Sequence, residues 1–376
     1  MVRPGAMGPR SMAEDPARAA RIAEALSRWF RAHARDLPFR RTRDPYAIWV
    51  SEVMLQQTRV ATVVAYYERF LARFPTVEAL AAAGEDEVLA AFSGLGYYRR
   101  ARLLHAGARC VVARYGGALP RDEAALRTIP GIGAYTAGAI ASIAFDRPVP
   151  AVDGNVARVL ARLDGIEDPA EQAAGRPGLA ARARALSSAG RPRVLAQATM
   201  ELGALVCTPQ APACDRCPVA GACHAHRTGR VDRIPAPRRR PARPQARFVA
   251  AVLRWRDGVV LERRPAGGLL GGLWCPPLAP CRARVRPRAP ARAVADRGLA
   301  VEWTGPAAGW VRHEFTHRVW LVAAWSGELR APPPESGALV VWRPGEAPPG
   351  GLPSLARRIL AHAGVEAATK DGGTAP

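Results

Sequence analysis

Two carboxylates draw attention because of what surrounds them. Glu52 lies in Ser51-Glu52-Val53-Met54-Leu55-Gln56-Gln57-Thr58, two turns into a helix that Asp44-Pro45 is suited to start. Asp would cap that helix and Pro would open it. The neighbours of Glu52 at three and four positions are Ile48, Trp49, Leu55 and Gln56. Three are apolar, so the carboxyl is expected to be desolvated and to keep its proton near neutral pH, as a general acid must. Asp153 sits in Val152-Asp153-Gly154-Asn155-Val156, after Pro148 and Pro150 and before a predicted helix Asn155–Leu163. One job for it is to cap that helix. The other is to pair with Glu52. Two carboxylates can hydrolyse a glycosidic bond, one protonating the leaving group and the other stabilising an oxocarbenium-like centre.

Two further groupings could do chemistry. Cys207, Cys214, Cys217 and Cys223 are separated by six, two and five residues. Thiolates this close can wrap one soft metal centre, and four cysteines suit zinc as well as an iron–sulfur cluster. The spacing is not that of two CxxC knuckles. Cys110, Cys275 and Cys281 are scattered and read as structural. Ile129-Pro130-Gly131-Ile132-Gly133 then runs into the small-residue stretch Ala134–Ile140. Structural turns use the same residues. Gly131 and Gly133 would also let backbone N–H groups approach a phosphate at a helix N-terminus, the helix–hairpin–helix mode of sequence-independent DNA binding.

These groups need a scaffold, and the composition divides it in two. Residues 1–20 read as a flexible tail. Residues 21–230 show helical periodicity punctuated by Gly and Pro. Residues 231–247 hold six Arg and four Pro and read as an extended cationic linker. Seven of the nine Trp lie beyond residue 250. Phe248–Trp255, Val259–Arg263 and Val319–Trp325 read as strands, the first two joined at Asp257-Gly258, a hairpin signal. A mainly α region, 21–230, is therefore expected before a smaller α+β domain, 248–366, with a tail at 367–376.

Charge and composition narrow the function. The 54 basic and 32 acidic residues give a net charge of +22, which suits a polyanionic partner such as nucleic acid. No run approaches the ~18 apolar residues of a membrane helix. The first residues lack a secretory pattern. A soluble, intracellular protein without a membrane partner is expected. Lys370 is the only lysine. Chemistry that requires a lysine amine in a folded site is thereby disfavoured.

Taken together, WVSEVMLQQTRVATV (49–63), GLGYYRRARLL (94–104), IPGIGAYTAGAIAS (129–142), VDGNVARVLARL (152–163) and the cysteine spacing resemble the adenine DNA glycosylases, the MutY family. The resemblance is collinear from about Trp29 to Cys223. It implies a helix–hairpin–helix glycosylase fold with an iron–sulfur cluster loop, and a [4Fe–4S] cluster on the four cysteines rather than zinc. It also implies removal of adenine mispaired with 8-oxoguanine or guanine in double-stranded DNA, leaving an abasic site. Glu52 then matches the acid that protonates adenine N7, and Asp153 the carboxylate that stabilises the sugar cation. Tyr135 and Asn155 match residues assisting at that site. Gln56 and Gln57 match a pair probing the minor groove, and Tyr97 a wedge in the base stack. Arg99, Arg100 and Arg102 become expected phosphate contacts.

The C-terminal region resembles, more loosely, the Nudix-like domain with which this family recognises 8-oxoguanine. Gly267–Pro276 fits its strand-and-loop pattern. Phe315-Thr316-His317 falls where the family carries a Phe-Ser-His loop, with Thr in place of Ser. A working pyrophosphohydrolase would need a glutamate-rich helix for magnesium, and Ala291–Leu299 contains no glutamate. Endonuclease III-like glycosylases for oxidised pyrimidines are the nearest alternative. They carry a nucleophilic lysine where Tyr135 stands, so a monofunctional enzyme is expected. A non-catalytic iron–sulfur DNA-binding protein is the alternative from another class, with Glu52 and Asp153 arguing against it. A monomer in a bacterial cytoplasm, associated with the nucleoid, completes the expectation.

Overall fold

A computed structural model describes residues 11–167, 177–236, 242–281, 289–307 and 309–365. The chain forms two compact units, Met1–Ala82 with Leu103–Arg240, and Ala83–Arg102 with Pro241–Pro376. Residues 83–102 thus group with the C-terminal region, although the sequence reading left them in the helical domain.

The first unit is helical. Helix α1 (Pro16–His33) is capped by Asp15 and buries one stripe, Ala19, Ile22, Ala23, Leu26 and Trp29, at helical spacing. The expected tail of 1–20 is therefore too long. Ser11 and Met12 are buried, the Met12 N–H donates to Asp164, and Arg18 forms an ion pair with the same carboxylate at 2.6 Å. Long-range burial drew these residues in, which local composition did not signal. Residues 1–10 and 367–376, parts of the two expected tails, lie outside the described residues.

Helix α2 (Pro45–Leu55) begins where Asp44-Pro45 indicated, and the Asp44 carboxylate accepts from the N–H groups of Tyr46 and Ala47. Every residue from Tyr46 to Met54 is buried. The helix is enclosed on all sides rather than amphipathic. Helices α3 (Val60–Arg73) and α4 (Val77–Ala82) follow. Helix α5 (Glu85–Ala91) lies in the second unit, and α6 (Arg99–Tyr115) comes next in the chain. Helix α7 (Glu123–Leu126), the Pro130–Gly133 turn and α8 (Ala134–Ile143) make the hairpin. Gly131 has φ +82°, a left-handed conformation natural to glycine. Gly138 faces the chain at Pro150, whose carbonyl oxygen would lie 2.0 Å from an added Cβ. Helix α9 (Gly154–Asp164) packs with the helices Pro177–Ser188 and Pro192–Leu205 and with α1 around a core that includes Leu26, Leu160 and Leu202.

The second unit is built on a mixed eight-stranded sheet. Its centre is a parallel pair, β1 (Gln245–Trp255) with β7 (Val319–Leu329), in register from Gln245–Val319 to Arg254–Glu328. The other pairings, which bring in β3 (Trp274–Cys275), β4 (Leu278–Pro280), β5 (Val301–Pro306), β6 (Val311–Glu314) and β8 (Leu339–Trp342), are antiparallel. Strand β1 starts at Gln245, so residues 245–247 belong to the sheet and not to the expected linker. Residues 237–241 of that linker lie outside the described residues. Strand β2 (Gly258–Arg263) pairs back on β1 with Trp255 opposite Gly258. The turn residues are Arg256 and Asp257, one position earlier than the sequence signal suggested, and Arg256 takes the positive φ of 54°. The segment 83–102 packs on this unit through side chains. The hydroxyls of Ser93 and Tyr98 both donate to the Leu352 carbonyl, at 2.7 and 2.9 Å. The segment Ala291–Leu299, which contains no glutamate, forms the end of the short helix Ala289–Arg292 and the turns that follow it.

No helix of the described residues is long and apolar enough to cross a membrane.

Candidate active site

A cavity of about 840 Å³ opens in the first unit. Its lining gathers Glu52 from α2, Tyr135 from α8, Asp153 and Asn155 from the start of α9, and Gln56 and Gln57 from the turn that ends α2. Gly131 and Gly133 of the hairpin reach it as well. Eight residues singled out from the sequence thus share one space.

Glu52 is only 5 % exposed, and its carboxyl titrates at about 7 instead of the usual 4.5. Burial is the main cause. The Tyr135 hydroxyl donates a hydrogen bond to Glu52 Oε2 and partly offsets it, and the Asp153 charge pushes further upward. The Tyr135 hydroxyl is itself held well above its ordinary range, by burial first and by the two carboxylates next, so it stays a donor.

Asp153 stands where the chain enters both α9 and the cavity wall. It caps α9, accepting from the Val156 N–H at 2.7 Å, and it also lines the cavity. Asn155 donates from Nδ2 to Asp153 Oδ2 at 3.0 Å. Arg158 holds Asn155 in turn, donating to its Oδ1 at 2.9 Å while also donating to the carbonyls of Gly203 and Cys207 at 2.8 Å. Burial raises the Asp153 pKa, and the N–H and Asn155 hydrogen bonds act against that. Gln56 points to the hairpin helix, its Nε2 3.4 Å from the Thr136 hydroxyl. Gln57 is exposed and has φ +60°.

The cavity also contains a group that the sequence reading missed. Glu201, on the helix Pro192–Leu205, is buried and lines the same space. Its carboxylate accepts bidentate pairs from Arg35, at 2.8 and 2.6 Å, and from Arg40, at 2.9 and 2.7 Å. Those cations hold it at about 2 despite its burial. Gln197, one helical turn earlier, lines the cavity too. A Gln–Glu pair at i, i+4 on an otherwise apolar face was the available signal.

The four cysteines ring a second, small cavity, together with Arg162 and His226. None is in a disulfide. Burial raises the thiols of Cys214, Cys217 and Cys223, and the neighbouring cysteine sulfurs raise them further. Arg162 Nη1 donates to Cys207 Sγ at 3.3 Å. Among the described residues no three His, Cys, Asp or Glu are gathered for a single metal ion.

Tyr97, Phe315, Thr316 and His317 lie in the second unit. Tyr97 is 44 % exposed at φ +51°, with the Arg100 guanidinium over its ring at 5.3 Å. The turn 315–318 connects β6 (Val311–Glu314) to β7 and is closed by Phe315 N–H donating to Arg318 O at 2.8 Å. Phe315 packs edge-on against Trp320 at 5.0 Å, while Thr316 and His317 are exposed. The Thr316 hydroxyl is 3.4 Å from that of Tyr97.

Comparison with known proteins places this arrangement. Residues 50–176 match the model of the HhH-GPD superfamily base excision DNA repair proteins, and residues 249–362 match that of the NUDIX domain. An adenine DNA glycosylase of Rattus norvegicus is 41 % identical over 66 % of this chain and 58 % of its own length. One from Buchnera aphidicola subsp. Baizongia pistaciae is 31 % identical over 68 % of this chain and 72 % of its own. The chain belongs to the adenine DNA glycosylase family. It spans little more than half the length of the rat relative. Among solved structures, a thermostable thymine-DNA glycosylase superposes with a TM-score of 0.51 at 27 % identity, covering 56 % of this chain and 98 % of that one. The helical region therefore has the glycosylase fold, and the family's two-part arrangement of glycosylase and Nudix-like regions holds for this chain.

Proposed function

We propose that the chain is a monofunctional DNA glycosylase that hydrolyses the N-glycosidic bond of adenine opposite 8-oxoguanine or guanine. The observation that carries this reading is a carboxyl with a pKa of about 7, hydrogen-bonded by a phenol and facing a second carboxylate across one cavity. An adenine inside a duplex is out of reach, so it must be flipped into the cavity at a cost of a few kcal/mol. Glu52, half protonated near neutrality, gives its proton to adenine N7 and makes the base a better leaving group. Tyr135 fixes the orientation of that carboxyl. Asp153, held by Asn155 and the α9 N-terminus, stabilises the cationic sugar until water adds. The ionised Glu201 is fully engaged by Arg35 and Arg40 and fixes those two side chains at the wall of the cavity.

Gln56 and Gln57 at the cavity, Gly131 and Gly133 at the hairpin, and Tyr97 are the expected contacts to the duplex. Phe315, Thr316 and His317 are those expected for the oxidised base. The adenine DNA glycosylase names of the relatives support DNA as substrate. Tyr135 occupies the position where a lyase would need lysine, and Lys370, the only lysine, lies outside the described residues. Chain cleavage through a lysine Schiff base is accordingly not part of the mechanism.

The four cysteines fit a [4Fe–4S] cluster. A lone zinc ion needs its sulfurs about 2.3 Å from one point, whereas these surround a cavity. Cys207, Cys214, Cys217 and Cys223 would hold the cluster. Bound there, it would fasten residues 207–223 through thiolate–iron links, and none of the steps above passes through it.

The test is single-turnover excision on duplexes carrying one 8-oxoguanine–adenine pair, one guanine–adenine pair, thymine glycol or no lesion, each with and without hot alkali. Strand breaks only after alkali, and only at adenine, are expected. Breaks at thymine glycol without alkali would replace this reading with a lyase for oxidised pyrimidines. Tight binding without cleavage would leave a DNA-binding protein.

A further inference from the structure

The second unit contains a cleft of about 760 Å³ that the mechanism above does not use. It is lined by Arg99 and Arg102 from the start of α6, by Arg263 and Arg264 from the end of β2, and by the glycine-rich loop that follows. Glu85 is the acidic residue in its lining. It is already engaged by Arg102 at 2.9 Å, and Arg263 meets Asp86 at 3.0 Å. Four guanidiniums thus face two carboxylates. Among the described residues Arg99 and Arg264 have no acidic partner, and Arg264 Nε is buried without an acceptor.

The loop adds backbone donors. Its ends are pinned by Arg264 N–H to Leu273 O and Gly272 N–H to Arg264 O, both at 2.9 Å. Arg102 Nη2 donates to Gly271 O at 2.8 Å. A Cβ at Gly272 would lie 2.6 Å from that guanidinium nitrogen, so glycine makes room for it. Among the described residues the N–H groups of Ala266, Gly267, Gly268, Leu269, Leu270 and Gly271 find no acceptor. Gly267, Gly268, Leu270 and Gly272 have positive φ. Runs that mix the two hands of backbone turn successive N–H groups into a concavity that accepts anions.

Unneutralised guanidiniums and free N–H groups around a cleft match the chemistry of phosphate recognition. We propose that this cleft binds backbone phosphate of the DNA, an anchor beyond the hairpin and the residues that touch bases. The proposal rests on the DNA reading above. A nucleoside triphosphate would normally arrive with a divalent cation, which needs carboxylate ligands, and Glu85 is already paired with Arg102. A phosphodiester needs no such cation.

The experiment uses the full chain with Arg99→Ala and, separately, Ser336→Glu. Ser336 is exposed and lines the cleft, so the second variant adds a negative charge without removing packing. Arg264 is left intact because it stacks over Trp320. Affinity for an undamaged duplex is measured across a salt series, alongside binding of inorganic pyrophosphate and single-turnover excision at saturating enzyme. At about 100 mM salt each variant should bind duplex about 3- to 10-fold more weakly, and the slope of log K against log salt should fall by about 1. Excision at saturation by Ser336→Glu, at a position given no part in catalysis or base contact, should be unchanged. Variants with the parent's affinity and slope would overturn the proposal. Loss of pyrophosphate binding with duplex affinity intact would overturn it too, and would reassign the cleft to a free phosphate ligand. A parent chain with no duplex affinity would remove the DNA reading itself, an outcome separate from these two.

Discussion

Glu52 on α2 and Glu201 on the helix Pro192–Leu205 are both buried, and both line the larger cavity. Burial leads them in opposite directions. Glu52 has apolar neighbours in its own helix and a neutral phenol as its hydrogen-bond partner, so desolvation prevails and its pKa rises to about 7. Glu201 lies between two guanidiniums, which outweigh the same desolvation and hold it at about 2. The difference shows that depth alone does not decide whether a buried carboxyl is an acid or an anion. The charge of the groups within hydrogen-bond reach decides it. The same cavity wall therefore holds one carboxyl that keeps a proton near neutrality and one that does not.

The largest effect is expected from removing the acid. Glu52→Gln should lower single-turnover excision by about 10²- to 10⁴-fold while leaving duplex binding within a few-fold of the parent. Excision at the parent rate would end the acid assignment. Removing the anion should instead damage the fold. Glu201→Ala leaves Arg35 and Arg40 without their carboxylate, and a loss of about 3 to 5 kcal/mol in denaturant unfolding is expected.

A smaller effect separates the two sites by pH. Because the folded-state pKa of Glu52 lies above its unfolded value of 4.5, its ionisation opposes folding above pH 7 and has no such effect below 4.5. Glu52→Gln should therefore be more stable than the parent by up to about 3 kcal/mol at pH 8 to 9, with the gain shrinking as pH falls toward 4.5. The smallest expected change comes from Tyr135→Phe. The lost hydrogen bond was lowering the Glu52 pKa, so the alkaline limb of the pH–rate profile should move upward by about 1 pH, with less than about a tenfold loss of rate at its optimum. A limb that moves downward would mean that Tyr135 raises the acid's pKa.

Legibility in the sequence followed the range of the interactions. The Asp44-Pro45 helix start, the apolar neighbours of Glu52 and the capping position of Asp153 all depend on residues within four positions, and each is found in the structure. Tyr135 and Asn155 could be singled out only through the family resemblance, because their partners are a carboxylate 83 residues away and one that had itself to be recognised first. Arg35 and Arg40 gave no local sign, since their carboxylate lies more than 160 residues further on. The same reason accounts for the errors at the boundaries. Met12 and Arg18 look like tail composition until Asp164 reaches them, and residues 245–247 look like linker until β7 pairs with them.

By itself the sequence determined the local units, namely a capped helix carrying a shielded glutamate, a glycine hairpin, a second capped helix opening on an aspartate, and four cysteines within one short stretch. Their periodicities and turn residues act over a few positions and need no distant partner. It also shows a single lysine, Lys370, which is a matter of inventory. Tertiary structure decided which of these units face one another. It put Glu52, Tyr135, Asp153 and Glu201 around one space, attached 83–102 to the C-terminal unit, and, among the described residues, left Arg99 and Arg264 without an acidic partner beside a loop whose N–H groups find no acceptor. Those outcomes depend on desolvation and on charges brought together from far along the chain, and only the folded chain sets them.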